Sequence, residues 1–166
     1  MNKIMRCITT DGSIMAAAID SSDIVHIAQS IHRTSPVATA ALGTFVDCIS
    51  IMGTMLKQKN TTVTLSKWWR LVERGSDFRQ QRNCRGNVTN PEVNLPLKDN
   101  GKLDVGGAVG KDGLLLVIRD YGEGEPYMVK LNWYQEKLRR EHYKEYFATS
   151  EQIPTVCTLG VYCWMG

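Results

Sequence analysis

The chain begins with two short apolar runs separated by a turn signal. Ile4 to Thr9 and Ile14 to Ile19 read as strands, with Asp11-Gly12 between them. An Asp-Gly pair between two such runs is a strong short-range signal for a β-hairpin. The pattern therefore predicts two antiparallel strands at the amino terminus.

A helix is predicted directly after the hairpin. Ser21 or Ser22 offers an N-cap, because serine is favoured at that position. Apolar residues then recur at the i, i+3, i+4 and i+7 spacing of one helical face: Ile24, Ile27, Ala28 and Ile31. The opposite side carries His26, Gln29, Ser30 and Arg33. The periodicity therefore predicts an amphipathic helix.

A longer helix is predicted next, starting at Thr34-Ser35-Pro36. The hydroxyl suits the cap, and proline is tolerated in the first turn because its missing N–H is not needed there. The weakly polar stretch that follows, Val37 to Leu56, contains Asp47 and several serines and threonines. We interpret it as a buried central helix rather than a membrane span.

The second half of the chain indicates mostly strands. Asn90-Pro91 and Leu95-Pro96 predict an extended loop over residues 90 to 101, and Gly106-Gly107 with Gly110 predict a glycine-rich turn. The remaining predictions are strands at Thr61 to Leu65, Leu114 to Ile118 and Thr155 to Tyr162, and a helix at Gln135 to Phe147. The fold class is α+β: a single domain with a central, mostly antiparallel β-sheet packed by a long buried helix and shorter helices.

Composition is that of an ordinary globular domain and excludes several classes of protein. The chain has 166 residues, 43% of them hydrophobic and 22% charged, with a net charge of +3. That charge alone is too weak to imply a nucleic-acid partner. No early apolar run has the charged leader and cleavage site of a signal peptide, so we expect a cytoplasmic protein.

The five cysteines do not have the spacing of a metal or redox site. They are Cys7, Cys48, Cys84, Cys157 and Cys163, and none forms a Cys-x-x-Cys pair. Reduced thiols are the expected state in a cytoplasm. We therefore predict no metal ligand and no cofactor in this chain.

No catalytic motif is assembled in the sequence. Val105 to Asp112 resembles a phosphate-binding loop, but Val105 stands where that loop needs glycine and Asp112 where it needs serine or threonine. His26 and His32 are six residues apart and fall on different helix faces, and no feature pairs either of them, or His142, with a nucleophile. We expect solvated histidines and no catalytic residue.

One segment favours a different function. Lys67 to Arg85 mixes tryptophans with several arginines. Aromatic rings can stack on bases while arginines meet phosphates, so such a segment can bind single-stranded nucleic acid. A nucleic-acid-binding module that uses this segment is the alternative function.

Four stretches of the chain together carry a resemblance to a known family: Thr34 to Gly43, Gly86 to Val88 with Asn90-Pro91, Gly101 to Gly110, and Ser150 to Pro154. In order and spacing they resemble the thirty-three-kilodalton heat-shock chaperonin family, bacterial holdases that oxidation switches on. The resemblance covers nearly the whole chain and corresponds to the family's first domain.

The resemblance implies a non-catalytic activity: capture of unfolding proteins on exposed apolar surface during oxidative heat stress. It also implies a homodimer, in which strands can be swapped. In full-length relatives a carboxy-terminal domain binds zinc through Cys-x-Cys and Cys-x-x-Cys pairs, and oxidation releases the metal. None of the five cysteines matches these pairs, so we expect residues 1–166 to lack this switch. The client-binding residues are not defined by the sequence.

Two segments depart from the family pattern. Ser66 to Arg85 and Asn132 to Arg140 are rich in Trp, Arg and Gln, and neither alternates as strands do. Plausible codons for Trp133 to Arg140, read from the third base, encode the text expected of the family. We hypothesise that both segments arise from reading-frame slips in the gene or in the recorded sequence; real divergence is the alternative.

Overall fold

A computed structural model of the chain describes residues 3–56, 62–68, 77–79, 83–110, 112–134 and 139–161. Four helices and seven strands are assigned within these residues. In chain order they are β1 (Lys3–Ile8), β2 (Met15–Asp20), α1 (Ser22–His32), α2 (Pro36–Thr54), β3 (Thr62–Trp68), β4 (Asp77–Arg79), β5 (Asn83–Arg85), α3 (Val105–Val109), β6 (Asp112–Asp120), β7 (Tyr127–Tyr134) and α4 (Arg139–Thr149).

The amino-terminal hairpin is confirmed. β1 and β2 pair antiparallel, with Ile4 opposite Ile19 and Ile8 opposite Met15. Gly12 lies in the turn with a φ of 73°, a left-handed conformation that glycine adopts without steric cost. The two strands form a sheet of their own and hydrogen-bond to no third strand among the described residues.

The long central helix is also confirmed, as α2. Pro36 stands in its first turn, and 89% of its most apolar window is buried inside the protein, although its length and composition alone would allow a membrane span. Ser35 does not cap the helix with its side chain. Its Oγ instead donates to the Val93 carbonyl at 2.6 Å, and its N–H donates to the Pro91 carbonyl at 2.8 Å. These bonds fix the start of α2 to the 90–101 loop.

A five-stranded antiparallel sheet packs against this helix in the order β5-β4-β3-β6-β7. Strand β6 lies between β3 and β7 and presents Leu115 and Val117 to the core, because alternate side chains of a strand share one face. Helix α4 contributes Tyr143, Tyr146 and Phe147 to the same core. The prediction of a buried strand at Leu114 to Ile118 is therefore confirmed, and the loop over 90 to 101 is confirmed as irregular.

Strands also form in both segments whose sequences do not alternate as strands usually do. β3 continues past Leu65 to Trp68, β4 and β5 follow, and β7 runs through to Tyr134. The predicted helix at Gln135 to Phe147 is found as α4, from Arg139 to Thr149, and residues 135–138 lie outside the described residues. Backbone pairing with neighbouring strands forms them: β4 pairs with β3, β5 with β4, and β7 with β6. The alternation of polar and apolar residues in the sequence did not indicate this pairing.

The prediction of a strand at Thr155 to Tyr162 is wrong over residues 155–161, and Tyr162 lies outside the described residues. Side chains do alternate along this segment, and Cys157, Leu159 and Val161 pack against the core. No strand runs beside it among the described residues, so alternate burial occurs here without strand pairing.

The glycine-rich turn at Gly106-Gly107 is a short helix, α3, which ends at Gly110. Its first turn is capped by Asp104, whose Oδ1 accepts the N–H of Gly107 at 3.0 Å. A Cβ at Gly107 would stand 2.3 Å from Asp104 Oδ2, whereas a Cβ at Gly106 would meet nothing closer than 3.7 Å. A side chain at 107 would displace this capping carboxylate, so glycine suits the position, and residues 105–109 form a helix in place of the predicted turn.

This close approach predicts different stabilities for two neighbouring variants. Gly107→Ala and Gly106→Ala both gain helix propensity, but only the first displaces the capping carboxylate. We expect Gly107→Ala to be less stable than Gly106→Ala by about 1–2 kcal/mol, the usual value of a side-chain cap. Chemical denaturation of both purified variants measures the difference, and equal stabilities would contradict the proposed role of Gly107.

Candidate functional site

Exposed apolar side chains concentrate on the amino-terminal hairpin. Every residue of β1 is exposed, and Met5 and Ile8 keep 68% and 65% of their surface accessible. Ile14, directly before β2, and Met15, its first residue, are 64% and 45% exposed. Isolated exposed apolar residues are ordinary on a protein surface, but a group of them marks an interaction site. We call Met5, Ile8, Ile14 and Met15 the hairpin surface.

The pairing register of β1 with β2 explains how the exposed residues are distributed over the two faces of the hairpin. Met5 and Cys7 stand opposite Ala18 and Ala16, so small side chains on β2 leave that face of the sheet uncovered. On the other face Ile8 pairs with Met15 near the turn, and both are exposed. Only Ala17 and Ile19 of the hairpin are half-buried. The hairpin thus offers apolar groups on both faces, and its strand edges pair with no further strand in the part of the chain that the structure describes.

The turn of the hairpin is held by a local hydrogen-bond network. The Thr9 N–H donates to the Ile14 carbonyl at 2.9 Å, and Asp11 accepts from the N–H and Oγ of Ser13. Hydrogen bonds from Thr9 and Ser13 lower the pKa of Asp11 to about 2. The carboxylate therefore stays ionised at any ordinary pH, and the turn keeps its bonds.

Helix α1, which follows the hairpin in the chain, also carries exposed apolar residues. The predicted apolar face of Ile24, Ile27, Ala28 and Ile31 is not buried as a whole, because Ile27 and Ile31 are 56% and 68% exposed. The buried residue of the helix is Val25, which the periodicity did not select. Ile27 and Ile31 are one turn apart and share a face of the helix.

The predicted serine cap of α1 takes a different form. The helix begins at Ser22, but the Ser21 Oγ donates to the carboxylate of Asp47 on α2 instead of capping its own helix. Asp20 accepts the N–H and Oγ of Ser22 at the helix start. These bonds from Ser22 lower the pKa of Asp20. Ser21 therefore links the start of α1 to the central helix.

A half-buried ion pair holds the segment that follows α4. Arg119 Nη2 lies 3.0 Å from Glu151 Oε1, and the Tyr146 hydroxyl donates to the same oxygen at 2.6 Å. Burial, and then this bond to Glu151, raise the pKa of Tyr146, so the hydroxyl stays protonated as the donor. Glu151 belongs to the Ser150 to Pro154 motif, whose role here is to fix the chain after the helix.

A second area of exposed apolar residues lies at that end of the chain. Ile153 and Val156 are exposed, and a depression of about 550 Å³ nearby is lined by residues of α4 and of the following segment. The lining residues are Lys144, Ala148, Gln152, Pro154, Thr155 and Val156. The depression lacks convergent polar groups that would orient a small ligand.

The three histidines were expected to be exposed to solvent, and they differ in how far this holds. His26 is exposed on α1, His32 is half-buried at its end, and His142 on α4 is 1% exposed. The prediction of a solvated histidine is therefore wrong for His142. His142 is buried because α4 packs on the core. The polar composition of that helix does not indicate this packing.

The cysteines are dispersed over the structure. Cys7 is exposed on β1, Cys48 is buried in α2, and Cys84 and Cys157 are half-buried; Cys163 lies outside the described residues. Within the described ranges no three His, Cys, Asp or Glu side chains come together as a metal site.

The basic-aromatic segment Lys67 to Arg85 lies largely outside the described residues. Its described parts are strands: the end of β3, then β4 and β5. Pairing of these strands within the five-stranded sheet explains their backbone, and no comparison with other proteins supports the nucleic-acid alternative.

Comparison with known proteins assigns the family. The family model described as Hsp33 protein matches residues 2–164. This chain belongs to the Hsp33 family. A 33 kDa chaperonin of Clostridium perfringens (strain SM101 / Type A) is 39% identical over 163 residues, which are 96% of this chain and 51% of the relative. A 33 kDa chaperonin of Clostridium tetani is 33% identical over 96% of this chain and 55% of its own length.

A solved structure shows the same fold. The crystal structure of the 33 kDa chaperonin of Thermotoga maritima superposes with a TM-score of 0.81 at 31% sequence identity. The match covers 91% of this chain and 52% of that one. The α+β fold class is therefore confirmed. The chain spans about half the length of the curated relatives it matches.

The Arg119–Glu151 pair predicts a strong effect of one substitution. Glu151→Gln leaves Arg119, whose side chain is 16% exposed, without its anionic partner, so we expect a loss of about 2 kcal/mol in unfolding free energy. Lys98→Gln is the matched control, because the Lys98–Asp104 pair is 50% and 33% exposed and should contribute less than about 0.5 kcal/mol. Urea denaturation measures both, and equal losses would contradict this ranking.

Proposed function

We propose that this chain is a holdase chaperone that binds unfolding proteins and prevents their aggregation under oxidative heat stress. The observation that carries the proposal is the hairpin surface, a group of exposed apolar side chains in a protein of the Hsp33 family. The named relatives are 33 kDa chaperonins, which supports a chaperone activity for the part of the chain that they share.

The chemistry of the surface suits unfolded polypeptides. Such chains expose apolar side chains together with backbone groups that have lost their partners. The hairpin offers Met5 and Met15, whose flexible thioether side chains adapt to irregular partners, and Ile8 and Ile14 beside them. An unpaired strand edge can also accept a backbone by strand addition. Clients of varied sequence can therefore bind without a shaped pocket.

We extend the proposal to the other properties of the protein. The chain acts in the cytoplasm, forms a homodimer in which strands can be swapped, and has no enzymatic activity. The edges of the β1–β2 sheet, which no other described strand covers, support strand exchange, since an identical strand from a second copy can pair there. Membership in a chaperonin family supports a role without catalysis.

Substitution of the hairpin tip tests the client-binding proposal. The double variant Ile8→Ser/Met15→Ser removes a cross-strand apolar pair that is exposed in the folded protein, so folding should be nearly unaffected. Each lost side chain removes about 1 kcal/mol or more of apolar burial against a client, and we expect about tenfold more protein to be needed for the same suppression of aggregation. Light scattering of a thermally unfolding client measures this.

A matched control removes apolar surface elsewhere. Met128 on β7 and Val156 after α4 are 50% and 93% exposed. The variant Met128→Ser/Val156→Ser should hold the client as well as the unmodified chain does. Equal loss in both double variants would show that the hairpin is not the binding surface. Full activity in both would exclude the hairpin tip.

The dispersed cysteines predict a weak response to peroxide. Thiolates are the oxidisable form, and burial raises the pKa of Cys157, which keeps that thiol protonated. We expect holdase activity of this 166-residue chain to change less than about twofold after peroxide treatment. Aggregation assays before and after oxidation, with a reductant to reverse the treatment, measure the ratio. A large reversible activation would contradict the prediction, and Cys7→Ser would then test the exposed thiol.

A further inference from the structure

The hairpin and the start of α1 dock on one face of α2. Gly43, Asp47 and Thr54 are spaced i, i+4 and i+11 on that helix, so they line a single stripe. Val25 and Val161 approach Gly43 so closely that a Cβ there would stand 3.3 Å and 3.0 Å from their methyl groups. Further along, Ser21 contacts Asp47, and Arg6 Nη1 donates to the Thr54 carbonyl at 2.6 Å.

Few interactions keep the hairpin on this stripe. β1 is exposed along its length and pairs only with β2 among the described residues. A two-stranded sheet is marginally stable in water by itself, so its persistence depends on docking. Segments with few buried contacts are those that open locally without global unfolding. The bonds made by Ser21 and Arg6 therefore have a large share in holding the hairpin down.

Asp47 lies in the middle of this stripe and is 7% exposed. The structure gives it one hydrogen-bond donor, the Ser21 hydroxyl, and no basic partner among the described residues. A buried ionised carboxylate without a cation loses its hydration and regains it only when the covering segment leaves. Opening of the hairpin would hydrate Asp47.

The charged groups on the facing elements do not neutralise the negative charge of an ionised Asp47. Asp20, at the end of β2, has the same sign of charge. Arg6 on β1 is bonded to Thr54 two turns away, and the α1 groups Asp23 and His26 are exposed to solvent. The segment after α4 brings the aliphatic side chain of Val161 to this face.

From this arrangement we infer that the burial of Asp47 beneath Ser21 forms a pH-sensitive latch: while Asp47 is neutral the hairpin and the start of α1 stay docked on α2, and ionisation of the buried carboxylate loosens them. The inference does not depend on client binding, since it concerns opening of the hairpin alone. It adds a condition under which the covered stripe of α2 becomes accessible beside the hairpin surface, which is already exposed in the docked state.

The direction of the effect follows from linkage. Burial raises the pKa of Asp47 above its ordinary value of 3.8; the Ser21 hydroxyl lowers it, and the Asp20 charge raises it. The docked state therefore binds the proton more tightly than the open state does. Docking is strongest below the ordinary pKa, weakens as pH rises through the raised pKa, and is constant above it.

Hydrogen exchange of backbone amides, followed from about pH 4 to about pH 8, tests the latch. Protection factors, which correct for the pH dependence of the exchange chemistry, are compared for β1–β2 and α2. In the unmodified chain we expect the protection factors of the hairpin amides to fall as pH rises and then to level off. The fall should be at most about tenfold per pH unit, because a single proton is involved. The α2 amides report global unfolding and should stay better protected throughout.

Three variants make the outcome specific. Asp47→Asn should hold hairpin protection constant across the range. Ser21→Ala removes the donor that favours the ionised form, so the fall should extend to higher pH. Asp20→Asn removes a like charge and should shift the fall to lower pH while keeping it. The latch is overturned if Asp47→Asn keeps the pH dependence of the unmodified chain, if hairpin protection does not change with pH, or if the hairpin exchanges only with α2.

Discussion

The burial of one helix determines the arrangement of everything else. α2 is mostly apolar and buried on all sides, and its buried residues run from Val37 to Gly53 with few interruptions. A helix of that kind is stable in water only when neighbours cover its whole circumference. α1, α3 and strands β2 to β5 all contact it. The five-stranded sheet and the short helices are therefore positioned by the need to remove this helix from solvent.

Sequence patterns predict this fold well where a few neighbouring residues determine the local structure. The hairpin followed from Asp11-Gly12, and the start of α2 followed from Pro36. The strand at Thr155 to Tyr162 was wrong because alternation along the chain cannot show whether a partner strand is present. Val25 and His142 are buried through contacts with distant segments, so neither residue could be selected from the periodicity of its own helix.

The residues that carried the family resemblance have structural roles. Asp104 caps α3 and requires the glycine at 107, and Glu151 neutralises Arg119 beneath the segment after α4. Ser35 joins the start of α2 to the neighbouring loop. The hairpin surface, by contrast, contains no motif, because it is defined by what the fold leaves uncovered. For this reason the fold and the family could be inferred from the sequence, and the proposed client-binding surface could not.

The order of the strands along the chain has a consequence for synthesis of the protein. β3 pairs with β6 about fifty residues later, and α4 supplies core residues later still. The apolar helix therefore leaves the ribosome before the strand and helix that complete its core exist. Domains with such non-local pairing fold slowly and expose aggregation-prone surface while they do so. A protein built on this plan is vulnerable to aggregation until its second half is made.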